Sequence, residues 1–360
     1  MPQTNPFDRI SRQWQNRADR SREYEVIRDG NVFGTGLRDS YLFRSEYDRA
    51  RLLLQQLMEE YQDATLDDVF LGRDCSSGEG TCYVVSTRAN VGLSLQDRTE
   101  ARQAILSDLS LIRGIGRKTE EFLKRRGYRT IADLAHHPKF GREAKRLLVE
   151  IEAEEAGCLM QRIGCWHPRS HPLAFKTCGF FNRDDFVFFD IETLGLFSRP
   201  IVLFGVAQVT GGEIAVHQYL VRDIEEEETA LAATLGHLSG AKTALVTFNG
   251  RSFDVPYLHD RLAYYGIPDR LVMPHYDLLH FSRRIWKGTF SDCRLVTLER
   301  ELFGLSRTDD VPSQMVPEFY EAYQRTGNVG PLVPVVEHNR QDVITLARLF
   351  SRIQEEWNGS

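Results

Sequence analysis

Four short runs rich in β-branched and aromatic residues, "FVFFDIE" from Phe186, "IVLFGVAQV" from Ile201, "IAVHQYLV" from Ile214 and "ALVTFN" from Ala244, are separated by turn residues or by longer segments. Their length and composition read as strands. Segments that read as helices fall between and after them, one opening with acids at 225 and others over "DVPYLHDRLAYYG", "LVTLERELFG" and 335–357. Strands that alternate with helices pack as layers, which predicts an α/β domain over 184–357 with a central mixed sheet flanked by helices.

A chain of 360 residues suggests two or three units. Residues 1–100 read as a small α+β amino-terminal region: a polar lead over 1–40, an amphipathic helix from Tyr47 to Tyr61, then strands at "TCYVVSTR" and "GLSL" after the turn "SSGEG". Residues 101–160 are helical in pattern and are broken by "RGIGRKT"; 161–183, with "CWHPRSHPLAF", reads as the linker to the sheet domain. No internal repeat or low-complexity tract appears.

Composition removes several classes of function. The formal net charge is −6, so a polyanion would have to meet a local basic patch. The first thirty residues lack the apolar core of a signal peptide, and no run approaches the roughly 18 apolar residues of a membrane helix, which predicts a cytoplasmic protein. Six cysteines without a CxxC read as reduced thiols. Cys158, Cys165 and Cys178, with His167 and His171 between them, match no zinc or iron–sulfur spacing.

Acidic residues then stand out by position. Asp190 and Glu192 alternate on one strand, so they project from one face about 7 Å apart. Buried and unpaired they would be costly; they need a cation, a basic partner or an exposed strand end. Asp254 opens a helix after the later strand "VTFN", where it either complements the helix dipole or serves a site. His338 and Asp342 lie one turn apart on the last helix, as a surface ion pair or as site residues. Taken together, these side chains would supply oxygens for two hard divalent cations, Mg2+ or Mn2+, of the kind that act about 3.5–4 Å apart in phosphoryl transfer. A histidine beside them suits the handling of the attacking water.

A basic segment supplies the missing patch. Between 111 and 130 seven Lys or Arg residues face two Glu. Gly114 and Gly116 flank Ile115 before a new helix, permitting a tight turn and outward-facing amides that suit a phosphate; a structural turn with a solvated basic face is the simpler alternative.

Three stretches carry a resemblance. "FDIET", "FNGRSFDVPYL" and "HNRQDVITL" are similar, in order, to the three exonuclease motifs of the four-acid (DEDD) ribonuclease H-like 3′-to-5′ exonuclease superfamily, over roughly 184–355. The second is particularly like that of polymerase proofreading domains, and "DDVPSQMVPEFYEAYQRTGN" resembles the YprB-like branch of predicted exonucleases. The resemblance implies that Asp190, Glu192, Asp254 and Asp342 are metal ligands with Asp190 bridging two ions, that His338 handles the water, and that Asn249 and Phe253 shape the pocket for the terminal nucleotide. His338 departs from the pattern: it stands four residues before Asp342, the spacing of the superfamily's tyrosine branch.

"LSLIRGIGRKTEEFLKRRGYRTIADLA" resembles a helix-hairpin-helix motif, which implies nucleic-acid backbone contacts at Arg113, Gly114, Gly116 and Lys118. A second hairpin is suggested at "HPKFGREAKRLL". Tyr276, Asp277 and Arg294 read either as groove residues or, more simply, as strand-end and surface residues. The expected activity is metal-dependent phosphodiester hydrolysis of nucleic acid from a 3′ end. The rivals are an endonuclease on the same scaffold and a catalytically silent binding protein.

Overall fold

The computed structural model describes residues 37–358 except 79, 196–198, 241, 270 and 308–310, with side chains described from 47 onward. Most of the polar lead expected over 1–40 therefore lies outside the described residues. Helices α1 (Leu37–Glu60) and α2 (Leu66–Phe70) precede strands β1 (Arg73–Ser77) and β2 (Gly80–Ala89). A helical stretch follows, with α3 (Arg98–Leu106), α4 (Arg117–Arg125), α5 (Gly141–Glu152), α6 (Ala156–Trp166) and α7 (Pro172–Lys176). The sheet domain contains β3 (Phe186–Thr193), β4 (Ile201–Thr210), β5 (Glu213–Leu220), α8 (Glu227–Leu238), β6 (Ala244–Thr247) and α9 (Asp254–Tyr265). It closes with β7 (His275–Asp277), α10 (Leu278–Trp286), α11 (Leu295–Phe303), α12 (Val316–Thr326) and α13 (Leu332–Asn358).

One mixed sheet runs β1-β2-β5-β4-β3-β6-β7. The β3-β4-β5 meander is antiparallel, whereas β6 and β7 join parallel beyond β3. This is the flanked α/β sheet that the strand pattern predicts. The hairpin from the amino-terminal region is hydrogen-bonded to it, since β2 pairs antiparallel with β5 from Tyr83↔Leu220 to Ala89↔Ile214. "GLSL" does not form a strand. Its backbone is held by a helix instead: Ser94 N–H donates to Ser351 Oγ at 3.0 Å, and Gln354 donates to Ser94 O at 2.9 Å.

β3 is buried on both faces, and its alternation sorts the core. Phe186 and Phe188 pack beneath α13 with Val343, Leu346 and Phe350. Val187, Phe189 and Ile191 point the other way, against Leu231 of α8 and Leu258 and Leu262 of α9. Period-two alternation thus sends Asp190 and Glu192 toward the α13 side, the same parity as Phe188. The helical stretch has a separate core built on Leu111, Ile115, Leu123, Leu134, Leu147 and Leu159.

Fully buried Glu227 ties the opposite layer together. It accepts from Ile201 N–H at 2.8 Å, from Arg261 Nε at 2.7 Å and from Tyr265 Oη at 2.9 Å. Replacing it with Ala leaves a buried guanidinium without its carboxylate. Glu227→Ala is expected to cost about 3–5 kcal/mol, read as a fall in the denaturant midpoint at unchanged slope; an unchanged midpoint would contradict the assigned role.

Candidate active site

The acids predicted from the sequence surround the end of β3. Asp190 is half-buried, and its carboxyl is held well above the usual range first by desolvation and then by the charges of Asp342, Asp254 and Glu192. Asp254, the first residue of α9, accepts Ile191 N–H at 3.2 Å. Burial, with Asp277 and Glu192 adding to it, raises its carboxyl to about 8. His338 Nε2 stands 3.9 Å from Glu192 Oε1 and 3.6 Å from Asp342 Oδ2. Strand β3, the α9 start and α13 thus bring four carboxylates and one imidazole together.

Two groups that sequence reasoning missed hold this set in place. Arg307 reaches it from the loop after α11, where fully buried Glu299 grips Nε at 2.6 Å and Nη2 at 2.9 Å. Thr345 and Gln341 of α13 also donate to Glu299. The guanidinium then donates to Asp342 Oδ1 and, through Nη1, to His338 Nδ1 at 3.2 Å. A guanidinium has no lone pair to offer, so in the contact with Arg307 Nδ1 takes the acceptor role, and Nε2 faces the carboxylates. The available signal was Glu299, a carboxylate at an apolar-face position of the amphipathic "LVTLERELFG" helix.

Asn339 is the second. Its Nδ2 donates to Asp190 Oδ2 at 2.8 Å while its Oδ1 accepts from Gln218 Nε2 at 2.9 Å. Asp190, Gly205 and Gln218 lie side by side on β3, β4 and β5. Asn339 lies across the middle of that row: a Cβ at Gly205 would come within 2.2 Å of its Oδ1. A glycine on β4 is therefore what lets α13 settle low enough to reach Asp190.

The second-motif turn is fixed from beneath. Asn249 adopts a left-handed φ of 63°. Its N–H and that of Arg251 donate to Asp277 at 2.8 and 3.0 Å. Asp277 is thus a buried strand-end residue that caps α10 and supports the turn. Phe253 packs on Tyr257 with ring centroids 5.4 Å apart. Tyr276 is core, bonded to Thr177, and Arg294 pairs with Asp292 at the surface.

Among the described residues no three His, Cys, Asp or Glu side chains converge as a metal-ligand group. Arg307 takes up one oxygen of Asp342, and Asn339 one of Asp190. The donor chemistry nevertheless fits a hard cation, because the donors are carboxylate oxygens, Asp190 and Asp254 are raised by their acidic neighbours, and Asp342 accepts positive charge where Arg307 offers it. Cys158 and Cys165 are exposed and Cys178 is buried, its thiol pushed up to about 12 by that burial.

In the basic segment, Gly114 has φ 86° and Ile115 is buried beneath the turn. Arg113, Gly114, Gly116 and Lys118 are exposed at the start of α4. Within that helix Arg117 and Arg125 pair with Glu121 and Lys124 pairs with Glu120, while Arg113 and Lys118 flank the glycine turn and Arg126 and Arg129 lie at the far end of the helix.

The Gly205–Asn339 contact can be tested by a double-mutant cycle. Gly205→Ala is expected to cost about 1–3 kcal/mol by overpacking. The Gly205→Ala/Asn339→Ala pair should cost less than the sum of the single changes by at least about 0.5 kcal/mol; strict additivity would show that the two positions do not oppose each other.

A family model, RNase_H_2 of the RNase_H superfamily, matches residues 187–354. The chain is also 31% identical over 210 residues to the uncharacterized protein YprB of Bacillus subtilis (strain 168), a match that covers 57% of this chain and 49% of that protein. It therefore spans about half the length of the curated relative it matches. In its mixed seven-stranded sheet flanked by helices, the acids grouped at β3 and the matched span, the sheet domain is similar to the ribonuclease H superfamily.

Proposed function

We propose that the chain is a metal-dependent nuclease that hydrolyses phosphodiester bonds of nucleic acid, removing nucleotides from a 3′ end. The observation that carries the reading is the grouping of Asp342, Asp254 and Glu192 around half-buried Asp190, an arrangement that is electrostatically unfavourable without added positive charge. Asp190, Glu192, Asp254 and Asp342 would hold Mg2+ or Mn2+. Bound there, such ions supply charge stabilisation at the phosphate and a more acidic water.

The chain's own residues do the rest. Asn339 fixes the rotamer of Asp190, and the Asp277-supported turn presents Asn249 and Phe253 beside Asp254. With Arg307 donating at Nδ1, His338 would serve through Nε2 as a donor that orients the water or a phosphate oxygen. Arg307 places a permanent positive charge at Asp342. The glycine turn and the exposed Arg113 and Lys118 of a helix-hairpin-helix-like segment would grip the strand backbone without reading its sequence.

The purified protein is expected to shorten single strands labelled at the 5′ end when Mg2+ or Mn2+ is present, to release mononucleotides, and to leave a circular strand uncut. Asp190→Asn should abolish this at unchanged thermal midpoint. Equal activity in that variant would overturn the reading, and cleavage of the circle would favour an endonuclease.

The donor role of His338 has its own signature. His338→Gln, which keeps a donor, should retain most of the rate, whereas His338→Ala should lose about a hundredfold. Equal losses in the two variants would restore a role in proton removal. For the basic segment, Lys118→Glu should weaken binding of a labelled strand in EDTA and lower its salt slope by about 0.7, while Lys124→Gln, which removes a residue already paired with Glu120, should change it less.

A further inference from the structure

A cavity of about 650 Å³ opens between the linker, the second-motif turn and α10, lined by Arg169, Arg251, Ser252, His280, Arg283 and Arg284 among its eight residues. None of those lining residues is a carboxylate. Its volume lies within the usual range for a site that takes a small molecule or one unit of a polymer.

The charges are arranged, not scattered. Arg251 is anchored by its side chain to His275 O and by its N–H to Asp277 at 3.0 Å. Arg284 Nε donates to Ser170 O at 2.9 Å, tying α10 to the linker that carries Arg169. The acid packed behind this wall is Asp277, which is buried, accepts from Asn249, Arg251 and Leu279 N–H groups, and lies 3.8 Å from His280. Four guanidinium groups thus line the cavity with no carboxylate among the lining residues; beyond it, Asp108 shares the surroundings of Arg284 at His171, and Asp292 those of Arg283 at Cys293. Burial lowers Arg251 from its ordinary value; Asp277 opposes that shift and Arg169, to a smaller extent, adds to it. Arg251 also precedes Asp254 by three positions on the same turn, so the cavity adjoins the acidic site.

We infer that this cavity is a binding site for a non-scissile backbone phosphate of the nucleic-acid strand, placed so that positive charge seats the strand while the acids beside it act on the terminal bond. Planar guanidinium groups suit phosphate oxygens, and phosphate contacts position a strand without reading its bases. The inference rests on nucleic acid being the substrate and adds where the strand runs.

The test measures anisotropy of a labelled single strand in EDTA over a salt series, with wild-type protein, Arg169→Gln/Arg283→Gln, and Arg300→Gln as a charge control away from the cavity. The paired variant should bind about tenfold or more weakly, with a salt slope reduced by about 0.7 for each phosphate that is no longer neutralised; Arg300→Gln should bind as wild type. Unchanged affinity and slope in a paired variant of wild-type thermal midpoint would overturn the site. So would a pocket that serves a free mononucleotide, seen as loss of nucleoside-monophosphate stabilisation in the paired variant with strand affinity intact. If the paired variant fails to fold, Arg169→Gln alone, at an exposed position, carries the same comparison. Should wild-type protein bind the strand through the cavity yet never hydrolyse it, the nuclease reading falls and the site stands; hydrolysis with unaltered binding in the paired variant removes only the site.

Discussion

Mutual repulsion of carboxylates packed around Asp190 is the constraint to which the rest of the domain answers. Burial and neighbouring acids raise the affinity of Asp190 and Asp254 for protons, and the protein offsets the crowding of charge with fixed donors instead of open water. Asn339 supplies one donor and Arg307 a full charge. Each is itself secured by a further buried polar group, Gln218 in one case and Glu299 in the other. The acidic centre is therefore the inner part of a polar network that crosses β3, β4 and β5 and continues through α11 and α13.

That network explains features with no evident role when taken singly. Gly205 belongs to the buried stretch of β4, where glycine is otherwise unfavourable; it is there because the Asn339 amide occupies the space a methyl would need. Glu299 sits in the interior because Arg307 must be aimed from a loop, and a bidentate carboxylate grip sets a guanidinium plane more firmly than apolar packing does. Asp277 does comparable service for the turn that carries Asn249 and Asp254.

Much of this architecture was legible in the sequence. Apolar runs gave β3 to β6, helical periodicity gave α9, α11 and α13, and the order of three motifs gave the acids. The remainder depends on contacts that leave no local trace. The pairing of β2 with β5 joins residues more than a hundred positions apart. "GLSL" has strand composition, yet Ser351 and Gln354 satisfy its backbone, and no strand forms beside it. Arg307 and Asn339 look like ordinary polar residues until the fold sets them against Asp342 and Asp190. Tyr276 has the look of a groove aromatic but fills the core against Phe175 and Phe350.

α13 runs for 27 residues, a rod of about 40 Å. Near one end it packs with α1 and α12 through Leu332 and Val336, and toward the other it receives the 90–97 segment through Ser351 and Gln354. His338, Asn339 and Asp342 sit within two turns of each other between those moorings. Three parts of the centre consequently share a single lever: a slide or roll of that rod would reset the imidazole, the amide and the carboxylate in step, never one by one.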